Sequence, residues 1–187
     1  MQRELVTRAM GGDHEAFTSL VGASVGRLYA VANMILRDQD RAQDAVQEAL
    51  VSAWRDLRSL RDPDAWDAWL YRLTVWACYR QARKDRRRTL VESHVLLDEG
   101  TEPASDIAFP IVERDRLERQ LGRLPIEQRA VIVVHFYLGR PLTEAAAILD
   151  IPVGTAKARL YRGLQALRDA MSAEPEARLS PVRARVS

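Results

Sequence analysis

Apolar residues recur at intervals of three and four along almost the whole chain, which is the spacing of one face of an α-helix, and strand-like alternation is absent. In the N-terminal half, this spacing predicts a long helix through Phe17 and Ile35 and a second from about Asp40 to Leu57. A third helix is predicted after a turn at residues 61–64. The apolar residues expected on its buried face are Trp66, Trp69, Leu70, Leu73 and Ala77. The pattern therefore predicts an all-α protein.

Local signals predict where several helices begin and end. Gly11 and Gly12 are expected to end a first short helix, and Asp13 to cap the next one. In the C-terminal half, a helix is predicted to begin at Pro125 and to stop before Gly139. Its expected core residues are Val131, Ile132, Val134 and Phe136.

The pattern of residues 142–168 predicts two further helices joined by a tight turn. Thr143 is the expected N-cap of the first, Asp150 suits a left-handed turn position, and Pro152 suits the start of the second. Residues 153–168 contain no acid and four cations, which are Lys157, Arg159, Arg162 and Arg168. A basic outward face is typical of a helix-turn-helix that reads the DNA major groove. The alternative is a helical hairpin whose basic face is simply solvated.

These elements predict two small helical domains joined by a flexible acidic linker, with the helix-turn-helix in the second domain. The expected domains cover residues 1–88 and 113–172, with the linker at 89–112 and a disordered tail at 173–187. Residues 89–113 contain no Lys or Arg and six acids, which are Glu92, Asp98, Glu99, Glu102, Asp106 and Glu113.

Charge is distributed in blocks although the net charge of the chain is only +2. Residues 72–88 carry seven cations against Asp85, a local charge of +6. Because Cys78 is the single cysteine and the three histidines are scattered, we expect no disulfide, no metal site and no cofactor. No catalytic motif is present, so a non-enzymatic role is expected. We also expect no membrane span and no secretory signal, and hence a cytoplasmic protein.

Four stretches resemble the extracytoplasmic-function (ECF) sigma factors, the promoter-specificity subunits of bacterial RNA polymerase. Residues 44–54, DAVQEALVSAW, and 69–75, WLYRLTV, resemble the family's region 2. Residues 124–131, LPIEQRAV, and 151–155, IPVGT, resemble its region 4. The resemblance implies an alternative sigma factor that directs RNA polymerase to specific promoters and helps to melt them. The rival interpretation is a free-standing helix-turn-helix regulator that binds an operator as a dimer.

The resemblance implies that Asp44, Gln47 and Glu48 dock on the clamp helices of the largest polymerase subunit. Acids at the start of this helix, such as Asp38 and Asp40, are also explained by the helix dipole alone. Further implied partners are the flap of the second-largest subunit, promoter DNA and an anti-sigma factor. The acidic linker could occupy the RNA exit path, or it could be an ordinary solvated linker.

The third long helix and the loop before it resemble the surface that melts the minus-10 element, where aromatic and cationic side chains hold unpaired bases. The implied contacts are Leu60, Tyr71, Arg72, Trp76, Tyr79, Arg80 and Arg83. Trp66 and Trp69 lie on the apolar stripe and are expected in the core instead. Trp76 departs from the family, which commonly has Asn at this position.

The second helix of the helix-turn-helix resembles the minus-35 reading helix of the family. The implied contacts are Thr155, Lys157, Ala158, Arg159, Tyr161 and Arg162. Lys157 and Arg162 can reach guanine edges or phosphates, and Tyr161 can pack on thymine methyls or sugars. Ala156 and Asp150 depart from the usual β-branched residue and glycine, and they are expected to loosen the turn at most.

Overall fold

The computed structural model describes residues 1–92 and 109–173, with side chains described over 1–84 and 116–172. Within these ranges all regular structure is helical, which confirms the predicted all-α class. The helices are α1 (Gln2–Met10), α2 (His14–Leu36), α3 (Gln39–Asp56), α4 (Trp66–Glu92), α5 (Phe109–Arg123), α6 (Ile126–Ile132), α7 (Leu142–Leu149) and α8 (Val153–Ala173). Short 3-10 turns at Leu57–Ser59 and Pro63–Ala65 lie between α3 and α4.

The end of α1 and the start of α2 follow the predicted signals. After α1 the chain turns through Gly12, whose φ of 98° lies in the region that favours glycine. The Asp13 carboxylate then accepts hydrogen bonds from the amides of Glu15 and Ala16, both at 3.0 Å. The amide of Ala16 and the guanidinium of Arg8 hold the pKa of Asp13 below its usual range. The predicted cap is therefore confirmed.

The core of the N-terminal half lies where α2, α3 and α4 pack together. Trp66 is fully buried, and its ring lies 6.2 Å from Phe17 and 5.8 Å from Trp69. Other large, fully buried side chains of this core include Leu28, Val31, Ile35, Leu70 and Val75. The predicted stripe of α4 is buried or half-buried throughout, as its helical period required.

One core prediction is wrong in the C-terminal half. After α6 the chain forms a π-helical turn at Val133–Tyr137. The extra residue per turn changes the angular position of the side chains that follow it. Val131, Ile132 and Val134 are buried as expected, but Phe136 is 59% exposed. The ordinary helical period assumed from the sequence does not continue through this turn.

The helix-turn-helix consists of α7 and α8. Asp150 adopts the predicted left-handed conformation at φ 53°, and Gly139 before α7 has φ 63°. Thr143 is not the N-cap, because α7 begins one residue earlier at Leu142 and Pro141 occupies the cap position. The inward stripe of α8 begins at Ala156, which is fully buried.

The two halves are in direct contact. A continuous cluster of buried apolar side chains runs from Trp66 and Val31 of the N-terminal half to Val134 and Ile148 of the C-terminal half. α4 continues to Glu92 and α5 begins at Phe109, so residues 89–92 and 109–112, which were expected in the flexible linker, are helical instead. The central acidic segment at 93–108 and the predicted tail beyond residue 173 lie outside the described residues.

One helix bears on the expectation that the chain has no membrane span. By length and composition α2 could cross a membrane, and it is the one such helix among the described residues. The core helix of a soluble protein meets the same criterion, and in α2 Leu28, Val31 and Ile35 are buried inside the fold.

Candidate functional site

The acidic face of α3 remains at the surface on one side of the N-terminal half. Asp44 and Gln47 are exposed, whereas Glu48 is half-buried. The carboxylate of Glu48 accepts hydrogen bonds from Arg80 Nε at 2.6 Å and Gln81 Nε2 at 3.3 Å. The ammonium of Lys84 lies 3.8 Å from the same carboxylate. Arg80, expected at the minus-10 surface, therefore lies beside the acids expected to dock on polymerase.

A groove of about 570 Å³ lies along this face, with Asp44, Gln47 and Glu48 on one wall. Arg80 and Gln81 of α4 form part of the opposite wall. Because Glu48 is already paired, Asp44 and Gln47 are the groups of this face most accessible to a partner.

The loop between α3 and α4 places Leu60 at the edge of a cavity of about 560 Å³ that also contacts Trp69 and Arg72. The Asp62 carboxylate caps the following 3-10 turn by accepting from the Asp64 amide at 3.0 Å. The side chain of Gln2 donates to Asp67 at 2.9 Å, which ties α1 to the start of α4. The structure therefore places Leu60, itself only 5% exposed, and Arg72 at one cavity.

The aromatic side chains of α4 divide into buried and exposed groups. Trp66 and Trp69 are 0% and 8% exposed, which agrees with their expected place in the core. Tyr71 was expected among the minus-10 contacts, but it is only 5% exposed, so its ring is buried in this structure. Its hydroxyl oxygen accepts from Arg27 Nη1 of α2 at 3.5 Å, because this side of α4 packs against α2. Trp76, in contrast, is 40% exposed.

Tyr79 lies between the two halves of the protein. Its buried hydroxyl has no hydrogen-bond partner, and burial raises the pKa of Tyr79 to about 12. A pocket of about 230 Å³ joins it to Ile126, Ile151 and Arg159 of the C-terminal half. The next cation along α4, Arg83, is exposed.

The six predicted minus-35 residues of α8 are not equally accessible. Lys157, Tyr161 and Arg162 are exposed, Tyr161 by 70%. Thr155, Ala158 and Arg159 are half-buried, and Arg159 lies on the side of α8 that faces Tyr79. These exposed residues lie in the first three turns of α8. The N-terminal residues of a recognition helix are the ones that contact base edges.

Arg129 is a residue to which the sequence interpretation gave no role. Its side chain is 8% exposed and donates to the carbonyl oxygens of Ile35 at 2.5 Å, Gly122 at 2.7 Å and Leu124 at 2.8 Å. Burial, together with the nearby cation Arg37, lowers the pKa of Arg129 to about 10. The available signal was a single arginine directly before the apolar run 130–134.

Two family models match the chain and together span most of it. The model described as Sigma-70 region 2 matches residues 20–88, and the model described as Sigma-70, region 4 matches residues 114–167. The first contains α3 and most of α4, and the second contains the helix-turn-helix.

Curated relatives match over most of their length. ECF RNA polymerase sigma factor SigM of Mycobacterium tuberculosis is 31% identical over 166 residues, covering 85% of this chain and 79% of that protein. ECF RNA polymerase sigma-E factor of Escherichia coli K12 is 31% identical over 176 residues, covering 87% of this chain and 90% of that protein. Sigma factor SigW of Bacillus subtilis is 28% identical, covering 90% of this chain and 95% of SigW.

Two solved structures share the fold. CnrH, in complex with the cytosolic domain of CnrY, has a TM-score of 0.68 and 26% identity, covering 92% of this chain and 98% of CnrH. The sigma factor RpoE of Bartonella quintana, in complex with the anti-sigma factor NepR, has a TM-score of 0.68 and 25% identity, covering 84% of this chain and 98% of RpoE. The chain therefore belongs to the ECF sigma factors, the alternative sigma factors that direct RNA polymerase to specific promoters.

Proposed function

We propose that this sigma factor docks on core RNA polymerase through Asp44, Gln47 and Glu48, against the clamp helices of the largest subunit. The observation that carries the proposal is the exposure of Asp44 and Gln47 on the outer face of α3, whose opposite face is buried. Charges at the edge of an interface steer association with an oppositely charged partner. Glu48 joins this face while already paired with Arg80.

In this proposal α8 reads the minus-35 duplex and α4 holds the melted minus-10 strand. The exposed Lys157, Tyr161 and Arg162 support the first role, since cations contact guanine edges or phosphates and a tyrosine ring packs on thymine. The exposed indole of Trp76 and the cavity beside Leu60 support the second, since unpaired bases stack on aromatic rings. The C-terminal domain would also contact the flap of the second-largest subunit.

The proposed domains are residues 1–88 and 113–172, and the spans of the two family models support this division. Both solved relatives are described in complexes, one of them with an anti-sigma factor, which supports an anti-sigma partner for this chain. The role is regulatory rather than enzymatic, and it is exercised on DNA in the cytoplasm. A free-standing regulator is not favoured, because relatives named as polymerase sigma factors match across both halves.

The docking assignment is tested by Asp44→Arg, with Asp40→Arg as the matched control. Both aspartates are exposed on α3, but Asp40 lies in its first turn, outside the groove. We expect Asp44→Arg to weaken binding to core polymerase at least about tenfold, or about 1.4 kcal/mol, while Asp40→Arg has a smaller effect. Equal core affinities for both variants, with unchanged circular dichroism, would contradict the assignment.

A further inference from the structure

A cavity of about 420 Å³ lies where the end of α2 meets the start of α6. Its charged lining residues, within the part of the chain that the structure describes, are Arg41, Arg123 and Arg129. The other lining residues are apolar: Ile35, Leu36, Ala82, Leu124, Pro125 and Ile126. None of these residues belongs to the surfaces proposed for polymerase or DNA, so the cavity has no part in those roles.

Arg129 is a buried cation in the wall of this cavity. Its side chain is 8% exposed, and the acceptors of its three hydrogen bonds are backbone carbonyl oxygens, which carry no net charge. Its Nε–H is also buried and has no acceptor among the described residues. Proteins normally bury a charge only where it is paired and hydrogen-bonded, because desolvation is costly. A bound anion would provide the opposite charge that Arg129 lacks.

Arg123 and Arg41 bring two more guanidinium groups to the same cavity. Arg123 is exposed, and its Nη1 donates to the amide oxygen of Gln120 at 3.1 Å, which is an uncharged partner. Arg41 is half-buried, and its Nε lies 3.2 Å from a carboxylate oxygen of Asp38. Because a partly exposed pair of this kind contributes little stability, a phosphate can compete for Arg41 at small cost.

A fourth arginine, Arg37, adds positive charge near Arg129. Its Nη1 lies 3.3 Å from a carboxylate oxygen of Glu118, so its own charge is partly compensated. Burial, with the added repulsion of Arg37, lowers the pKa of Arg129 to about 10. An anion bound among these arginines would offset the repulsion and favour the charged form of Arg129.

Phosphate is the anion that this arrangement fits best. A guanidinium group presents several N–H donors in one plane and binds phosphate oxygens through paired hydrogen bonds. Three such groups suit a ligand with many phosphate oxygens, such as a diphosphate. The apolar part of the wall suits an uncharged part of the ligand, such as a ring. The volume of the cavity lies within the range of about 300–1,000 Å³ that is common for small-molecule sites.

We propose that this cavity binds a small phosphorylated molecule of the nucleotide type, with its phosphate groups held by Arg41, Arg123 and Arg129. Its ring lies on the apolar wall formed by residues 35–36 and 124–126. The proposal does not depend on the docking and promoter assignments, because it shares no residue with them. Failure of either one therefore leaves the other unaffected.

Isothermal titration calorimetry of the full chain with ADP tests the proposal, and pyrophosphate and adenosine are the two partial probes. The site variants are Arg41→Gln and Arg123→Gln, because both side chains are at least partly exposed and their loss should leave the fold intact. Arg58→Gln is the matched control, since Arg58 is exposed in the 3-10 turn after α3 and does not line the cavity. Arg129 is kept in these variants because it also holds the carbonyl of Ile35.

We expect each site variant to bind ADP at least about tenfold more weakly than the wild type does, whereas Arg58→Gln binds it equally well. We also expect pyrophosphate to bind more weakly than ADP, and adenosine not to bind. Equal weakening by Arg58→Gln would overturn the proposal, because it would show a general attraction of anions to the basic surface. Absence of ADP binding to the wild type would overturn it as well. Pyrophosphate binding as tight as that of ADP would overturn the assignment to a nucleotide.

Nitrogen-15 NMR of the arginine Nε–H groups shows where ADP binds. Each signal is assigned by its loss in the corresponding variant with lysine. We expect ADP to shift the signals of Arg41, Arg123 and Arg129 and to leave that of Arg58 unchanged. Shifts confined to other arginines would place ADP elsewhere and overturn the assignment of this cavity.

Discussion

Gly163 allows α8 to approach α6 closely. The distances at this contact predict how much a larger side chain at residue 163 changes the free energy of unfolding. A Cβ at Gly163 would lie 2.9 Å from Cδ1 of Ile132 and 3.4 Å from Cβ of Gln128. Alanine in place of an unhindered helical glycine adds about 1 kcal/mol of stability, whereas overpacking a buried contact costs about 1–3 kcal/mol. We therefore expect Gly163→Ala to lower the free energy of unfolding by about 0–2 kcal/mol.

The chain provides its own control at Gly22, inside α2, where an added Cβ meets nothing within 4 Å. Gly22→Ala should raise the free energy of unfolding by about 1 kcal/mol, so the two variants should differ by about 1–3 kcal/mol. Urea denaturation followed by circular dichroism measures both, provided the m-values agree. Equal stabilisation by the two substitutions would refute the prediction that a methyl group at residue 163 is costly to accommodate against α6.

A double-mutant cycle identifies the atom responsible. Ile132→Val removes Cδ1 and alone should cost about 0.5–1.5 kcal/mol. In combination with Gly163→Ala it should cost less than the sum, because the contacting methyl group is absent. Strictly additive effects would show that Ile132 moves aside without cost.

Three further predictions concern the DNA surfaces. Lys157→Ala should weaken binding to the minus-35 element by about 1–3 kcal/mol, and so lower minus-35-dependent transcription, without changing core binding. Its control is Arg168→Ala, because Arg168 is also exposed but lies further along α8. Equal loss of transcription in both variants would contradict the assignment. Trp76→Ala should slow open-complex formation, because the stacking of one unpaired base on the indole is worth about 1–3 kcal/mol. A pre-melted template should partly restore the rate. Normal permanganate reactivity of the unpaired thymines, together with a lowered melting temperature of the protein, would instead assign Trp76 to the core. Since the folded-state pKa of Tyr79 is raised to about 12, its contribution to stability should fall as the pH rises above about 10, where the unfolded chain loses the proton first. Tyr79→Phe should remove this alkaline loss and, because the hydroxyl has no partner, should not lower stability at pH 7; parallel stability curves for both proteins would contradict the burial of Tyr79.

Much of the fold could be predicted because its signals are local. The cap at Asp13, the left-handed turn at Asp150 and the buried stripe of α4 each depend on residues within a turn or two of one another. The proximity of Leu60 to Arg72 could also be predicted, since the loop and the first turns of α4 are adjacent in sequence.

The errors arise where a neighbouring helix or a change of helical period decides the outcome. Tyr71 was expected to contact the minus-10 strand, but α2 packs on that side of α4 and buries the ring. Phe136 was placed in the core by a period that the π-helical turn interrupts. Neither the packing partner nor the inserted residue has a signal in the spacing of apolar positions.

In the candidate sites, too, features within one helix could be predicted, whereas contacts between helices could not. The acids of α3 and the cations of α8 could be chosen from sequence because each set lies on one helix. The pairing of Glu48 with Arg80 joins residues 32 positions apart, and the bond from Arg129 to Ile35 joins residues 94 positions apart. Such contacts depend on how the helices assemble, so sequence patterns could identify the residues as polar but could not identify their partners.

Transcription by purified core RNA polymerase on a pooled promoter library, with and without this protein, tests the central claim most directly. Sequencing the 5′ ends of the transcripts gives the start sites used in each reaction. We predict that the protein concentrates initiation at a subset of fragments that share one minus-35 and one minus-10 element at a fixed spacing. The same distribution of start sites with and without the protein would contradict its role as a promoter-specificity subunit.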